Sequence, residues 1–133
     1  MGSRSQAGIA ILRIVVRVVF FMHGKMKLMG MGYHGVAGFL HGIGLPLPQV
    51  AAVFLLAAEV GGGMALILGV LTRWAALLNA CDMFVALLIV HWKNGFFLPH
   101  GYEFVLTLLA ATIALALAGP GSASVDSLLA KRR

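Results

Sequence analysis

The chain has 133 residues, of which 61% are hydrophobic and 11% charged, and its mean hydropathy is +0.99. Soluble domains carry about 25% charged residues, so this composition excludes a fold that must cover its core with a polar surface. The formal charge of +6 does not indicate a nucleic-acid partner, because the basic residues flank apolar segments and form no basic face with interleaved aromatic residues. The composition predicts an integral membrane protein whose main partner is the lipid bilayer.

Four apolar segments follow one another along the chain, each close to the roughly 20 residues that cross a hydrocarbon core about 30 Å thick. The class predicted is therefore all-α, a single transmembrane domain built as a four-helix bundle. The predicted helices are at about 8–29, 49–71, 74–92 and 103–118, with an outer loop at 30–48 and an interfacial tail at 119–133.

The loop and the tail each carry a helix signal. In the loop, Val36, Phe39 and Leu40 have the spacing of a short amphipathic helix that either lies on the membrane surface or forms an ordered lid. In the tail, Ser124 is expected to cap a short helix that runs through Leu128 and Leu129.

The distribution of lysine and arginine predicts the orientation, because cytoplasmic loops are enriched in both. Five basic residues fall on one side and three on the other, which favours cytoplasmic N and C termini in a multi-pass protein of the bacterial inner membrane. The two sets are Arg4, Arg73, Lys131, Arg132 and Arg133 against Lys25, Lys27 and Lys93.

Small residues recur every fourth position in the second segment, and this spacing predicts a ridge against which another helix packs closely. The members of the ridge are Ala57, Gly61, Ala65 and Gly69.

Ionisable side chains within the apolar segments are costly in hydrocarbon and must face the bundle interior. Counting about 1.5 Å per residue places Arg17, Glu59 and Asp82 near mid-membrane, with Arg13 about one turn nearer the cytoplasm. We predict a buried polar network of these four residues, with Asn79 as a further candidate. Two interpretations stay open: a self-neutralising set that determines helix register, or a proton path or anion site.

All five histidines fall on the outer side, where His23 and His91 are expected at similar depth. Together with Lys27, Tyr102 and Glu103 they form the predicted ligand-binding set, and His23, Lys27, His91 and Glu103 are the candidates for catalysis. A quinone head group suits such a set. Metal or haem is disfavoured because no His-x-x-x-His or other ligand spacing occurs. The alternative is a group of interfacial polar residues without a ligand.

A set of short motifs follows in a fixed order along nearly the whole chain. They are Leu12-Arg13, His23-Gly24-Lys25-Met26-Lys27, Gly38-Phe39-Leu40, Gly44 to Pro48, Glu59, Gly61 to Gly63, Leu71-Thr72-Arg73, His91, Asn94 to Phe97, Gly101 to Phe104, Gly119 to Gly121 and Asp126. These motifs resemble those of the DoxX family of small bacterial membrane proteins. The resemblance implies a four-helix membrane bundle associated with redox roles, as in subunits of thiosulfate:quinone oxidoreductase or partners in oxidative-stress complexes.

The leading functional hypothesis is a redox-associated subunit linked to the quinone pool, in which His23, His91 or Glu103 supplies protons and Lys27 stabilises a developing anion. The chain has no flavin or nicotinamide fingerprint, and its single cysteine, Cys81, excludes dithiol exchange within one chain. Another subunit must then donate the electrons. The alternatives are a non-catalytic accessory or scaffold subunit of a larger membrane complex and, second, a small-solute carrier.

Overall fold

A computed structural model describes residues 2–121 and 124–131, apart from the side chain of Leu66, and in this part of the chain every regular element is helical. Three of the helices are extended by π-helical turns, in which the backbone ring is one residue wider than in an α-helix. The elements are α1 (Ser3–Met26), a π turn (Lys27–Met31), α2 (Gly32–Gly42), α3 (Pro48–Leu56), a π turn (Ala57–Gly61), α4 (Gly62–Leu68), α5 (Thr72–Val85), a π turn (Ala86–His91), a 3-10 turn (Trp92–Asn94), α6 (Glu103–Ala118) and α7 (Val125–Ala130).

Three helical runs among the described residues have the length and apolar character to cross a membrane. They are Ser3–Gly42, Pro48–Ala65 and Thr72–Asn94, with 40, 18 and 23 residues. The fourth apolar helix, α6, has 16 residues and a length of about 24 Å, which is less than the roughly 30 Å of a hydrocarbon core. The predicted all-α membrane class is confirmed, with three helices of spanning length and a shorter fourth.

The distribution of polarity is that of a protein surrounded by lipid. Large apolar side chains such as Ile11, Phe54 and Leu117 are 65%, 66% and 78% exposed. In contrast, Arg17 and Glu59 are each 1% exposed. Water would reverse this arrangement, because apolar groups leave water and charged groups keep it. The exterior is therefore the surface that contacts hydrocarbon.

Close helix packing depends on glycines that the predicted ridge did not include. A Cβ on Gly63 would lie 3.0 Å from the backbone nitrogen of Phe21, so α1 and α4 are nearly in backbone contact. A Cβ on Gly62 would lie 3.0 Å from Asn79 of α5. Ala57 and Gly61 are instead exposed, which corrects the predicted ridge. The predicted ridge assumed a regular α-helix. The π turn at Ala57–Gly61 contains an extra residue, so the residues on either side of it do not keep the face that a four-residue spacing predicts.

The predicted outer loop contains α2, which begins at Gly32, where a φ of +67° interrupts the helical path after the first π turn. Val36 and Leu40 are buried in a small core that α2 shares with α3, whereas Phe39 is 46% exposed. The predicted short helix is confirmed, and its packing against α3 is that of an ordered lid.

The tail folds back on the turn between α4 and α5. Ser124 caps α7 by accepting a hydrogen bond from the backbone nitrogen of Ser127 at 3.1 Å, which confirms the predicted cap. Asp126 then accepts hydrogen bonds from the backbone nitrogens of Leu71 and Thr72, each at 3.0 Å. The Asp126 carboxylate thus caps the N-terminus of α5 from a different helix. Arg132 and Arg133, which the charge count used, lie outside the described residues.

Candidate functional site

The centre of the site is an ion pair between Lys27 and Glu59, in which the Lys27 ammonium donates a hydrogen bond to Oε1 of the Glu59 carboxylate. Lys27 is the first residue of one π turn, and Glu59 lies within another. The Glu59 side chain is 2% exposed and that of Lys27 28%. Asp82 of α5 interacts electrostatically with both residues and lines a cavity together with them. We call these three residues the carboxylate triad.

A glycine on α1 makes this approach possible. A Cβ on Gly24 would lie 2.7 Å from Cγ2 of Val60 and 2.9 Å from Cβ of Glu59. Only the absence of a side chain at position 24 lets α1 lie directly against the π turn that carries Glu59. Lys27, one turn further along, is thereby brought within reach of the Glu59 carboxylate.

Next to the triad is a cavity of about 430 Å³, which we call the histidine cavity. Its polar wall consists of His23, Lys27, Glu59 and His91, and the rest of its lining is mainly apolar, including Phe20, Met83 and Leu108. The volume falls within the roughly 300–1,000 Å³ of small-molecule sites, which combine an apolar lining with a few placed polar groups. The cavity is the right size for a compact apolar ring that carries polar substituents.

The two cavity histidines come from different helices. His23 lies on α1, with its ring centroid 6.0 Å from that of Phe104 on α6. His91 ends the third π turn, and its Nδ1 lies 3.1 Å from the carbonyl oxygen of His100. A carbonyl only accepts, so Nδ1 of His91 carries a proton. Three members of the predicted ligand-binding set, His23, Lys27 and His91, thus line one cavity.

A second cavity of about 250 Å³ is also lined by Lys27 and Glu59, and we call it the loop cavity. Val36 and Leu40 of α2 contribute to its wall, together with Lys27, Glu59 and Asp82. Lys27, Glu59 and His91 line both cavities, whereas Asp82 lines the loop cavity and is not part of the histidine cavity. Lys27 and Glu59 are therefore common to both spaces.

Tyr102 and Glu103 belonged to the predicted ligand-binding set, but neither lines the histidine cavity. Tyr102 stacks on Trp92 with ring centroids 5.0 Å apart, and Oε1 of Glu103 accepts a hydrogen bond from the backbone nitrogen of Leu98 at 2.8 Å. Both side chains therefore hold the α5 to α6 connection in place. His34, His41 and His100 are exposed and also lie outside this cavity.

The predicted network of Arg13, Arg17, Glu59 and Asp82 is divided into two parts. Arg13 and Arg17 are buried, and they donate hydrogen bonds to the backbone carbonyls of Pro120 and Ile67, the latter at 2.7 Å. Glu59 and Asp82 lie with Lys27 instead. The reason is the antiparallel packing of α1 and α4, which places Gly24 beside Glu59 and Arg17 beside Ile67, nearly two turns away along α1.

The Lys27 and Glu59 pair was not predicted from the sequence. Lys27 was placed in the outer ligand-binding set, and Glu59 was placed in the buried polar network. A signal was present, because a lysine stem is long enough to bring its ammonium toward a deeper carboxylate along an apolar surface. The π turns that contain Lys27 and Glu59 are not visible in the apolar pattern.

The apolar exterior and the buried, paired charges define a small helical membrane protein with a polar internal site. Within that class the chain belongs to the DoxX family, whose family model matches residues 8–92. It is an inner-membrane protein, in agreement with its apolar helices and with the relatives described next.

Two curated relatives are aligned over almost their full lengths. The chain is 31% identical over 136 residues to inner membrane protein YqjF of Escherichia coli, covering 99% of each chain. It is 32% identical over 131 residues to a Bacillus subtilis protein named "Putative oxidoreductase CatD", covering 98% of this chain and 93% of that protein. Inner membrane protein YphA of Escherichia coli is 27% identical over 133 residues, covering 87% of this chain and 86% of that protein. No solved structure matches the chain.

Proposed function

We propose that this protein is a redox-associated component of the inner membrane that binds a quinone head group in the histidine cavity and protonates it on reduction. One observation carries the proposal: the lining of a mainly apolar cavity of about 430 Å³ includes two imidazoles, one ammonium and one carboxyl group. A quinone needs an apolar pocket for its ring and polar groups at its carbonyl oxygens.

The chemistry of the wall suits reduction of such a ring. Two electrons and two protons convert a quinone to a quinol, and negative charge develops on the ring oxygens before the protons arrive. Lys27 stabilises that charge electrostatically, and His23, His91 and Glu59 are groups that exchange protons. The electrons come from a redox-active partner protein. The oxidoreductase name of the Bacillus subtilis relative supports the redox assignment.

The bilayer arrangement that we propose has α6 as a fourth span, with both termini in the cytoplasm. The pairing of Lys27 with Glu59 supports this orientation, since it removes one of the three outer lysines from the set of free basic residues. The histidine cavity then lies toward the outer leaflet.

The direct test is to purify the protein in mild detergent, extract bound lipids for quinone, and titrate the quinone-free protein with decylubiquinone by calorimetry. His91→Ala is expected to weaken binding roughly tenfold, equivalent to about 1.4 kcal/mol. The matched control is His41→Ala, because His41 is exposed and lies outside the cavity.

Absence of quinone binding would contradict the proposal. If the lipid extract contains no quinone, and decylubiquinone neither binds nor raises the melting temperature, the quinone proposal is wrong. A non-catalytic accessory subunit would then be the better description of this protein.

A further inference from the structure

The carboxylate triad contains an unequal number of charges. Lys27 contributes one ammonium, whereas Glu59 and Asp82 contribute two carboxyl groups. Oε2 of Glu59 and Oδ2 of Asp82 are buried and have no hydrogen-bond partner. Other titratable groups near the triad are His23 and His91, which line the histidine cavity, and Cys81, which lines a further pocket together with Asp82. Full ionisation of the three residues would leave one uncompensated negative charge in a site of low dielectric constant.

One bound proton removes this excess. With one carboxyl group protonated, the triad consists of an ammonium, a carboxylate and a neutral acid, and its net charge is zero. The acid also provides a hydrogen-bond donor beside the buried carboxyl oxygens of Glu59 and Asp82 that have no partner, since two carboxylates can only accept. Carboxyl pairs that share a proton in this way are known from other protein sites.

We propose that Glu59 and Asp82 share one proton at neutral pH and that this proton is donated, through Glu59, to the ligand in the histidine cavity. The two carboxyl groups have different positions. Glu59 lines both cavities, whereas Asp82 lines the loop cavity and is not part of the histidine cavity. Glu59 is therefore the donor to the ligand, and Asp82 is the reservoir behind it. Lys27 keeps the remaining carboxylate charge-balanced until the proton leaves.

The donation step rests on the proposed function, but the shared proton does not. When a bound quinone takes two electrons from a reduced donor, it also takes two protons. Glu59 gives one, and the imidazolium of His23 or His91 gives the other. The O–H bond of the carboxylic acid breaks as the O–H bond of the quinol forms. The triad then carries one negative charge, and the histidine is neutral, until both regain protons from water.

Infrared spectroscopy tests the shared proton without any ligand, because a protonated carboxyl group has a carbonyl stretching band well separated from the carboxylate bands. The chain suits this measurement because it has only four acidic side chains. The other two, Glu103 and Asp126, accept hydrogen bonds from backbone nitrogens and take no part in the triad.

The expected result at neutral pH is one protonated carboxyl group in the unmodified protein. Glu59→Gln and Asp82→Asn should each abolish the band, because one carboxylate then balances Lys27. Lys27→Met should double it, because both carboxyl groups must then be neutral. Lys25→Met is the matched control: Lys25 is exposed on the same helix, so its loss should leave the band unchanged.

Absence of the band from the unmodified protein overturns the shared proton, and this outcome requires no variant to fold. A band that persists in Asp82→Asn at full strength would overturn it as well. Donation is tested by reducing bound decylubiquinone at an electrode in the infrared cell. The acid band should decrease as quinol forms, and a constant band overturns donation. If decylubiquinone does not bind, donation fails with the proposed function, whereas the ligand-free spectrum still decides whether the proton is shared.

Discussion

Lys27 and Glu59 pair across the contact between the first two membrane-spanning helical runs, and each belongs to a π-helical turn. A third π turn ends at His91, which faces the same cavity. Each π turn adds a residue to the helical ring and so re-aims the side chains that follow it. Three such turns around one site indicate that the local widening of the helices positions these side chains.

The ion pair predicts a stability difference between two neighbouring lysines. Lys27→Met leaves Glu59 and Asp82 without a counter-charge, and we expect a loss of about 3 kcal/mol in the free energy of unfolding at neutral pH. Lys25→Met, at an exposed position, should change it by less than about 0.5 kcal/mol. The measurement is denaturant unfolding in detergent micelles. Equal effects of the two substitutions would contradict the pairing.

The stability loss of Lys27→Met should depend on pH. Protonating a carboxyl group in Lys27→Met removes the uncompensated charge, so the deficit relative to the unmodified protein should shrink as the pH falls. It should grow as the pH rises, because the unfolded chain ionises its carboxyl groups in water at little cost. Unfolding curves across a series of buffers from acid to neutral provide the comparison. A deficit that is independent of pH would show that the loss comes from packing.

The close approach at Gly24 predicts a steric effect of one methyl group. Gly24→Ala places a Cβ 2.7 Å from Val60 Cγ2, so α1 must move away from the π turn of Glu59, and we expect a cost of about 1–3 kcal/mol. Gly8→Ala is the matched control, since a Cβ there has no atom within 4 Å. That change should be neutral or stabilising by up to about 1 kcal/mol. The melting temperatures of Gly24→Ala and Gly8→Ala, measured in the same detergent, compare the two effects on stability.

The contact between α7 and the start of α5 predicts a role for Asp126. Asp126→Ala removes the acceptor for the backbone nitrogens of Leu71 and Thr72 and should destabilise the protein by about 1–2 kcal/mol. Asp126→Asn keeps one acceptor oxygen and should lose less. Limited proteolysis of the C-terminal tail reports the undocking of α7. Unchanged cleavage in Asp126→Ala would mean that other contacts hold the tail.

The proposed orientation predicts which positions are reachable from outside the cell. In a Cys81→Ala background, a cysteine that replaces exposed His34 should react with a membrane-impermeant maleimide in intact spheroplasts. A cysteine that replaces exposed Arg4 should react only after the membrane is opened. Reaction at both positions in intact spheroplasts would contradict a cytoplasmic N-terminus.

Local patterns predicted some of these features well. The bounds of α6 and the Ser124 cap follow from short-range chemistry, because a long apolar run and a hydroxyl before a helix need no distant partner. His23 and His91 were expected at similar depth, and both line the histidine cavity. Depth can be predicted because it is counted along a helix from either end. Tyr102 and Glu103 do not line the histidine cavity, since depth alone does not tell which side of a helix faces it.

The sequence by itself determined that this chain is a helical membrane protein, because 61% hydrophobic residues in long apolar runs leave the bilayer as the only suitable solvent. It also identified most of the polar residues that matter. Only the tertiary structure decided how they combine: Glu59 pairs with Lys27 and not with an arginine. That choice depends on the close approach at Gly24 and on π turns that shift the helical register, and both arise only when the helices pack.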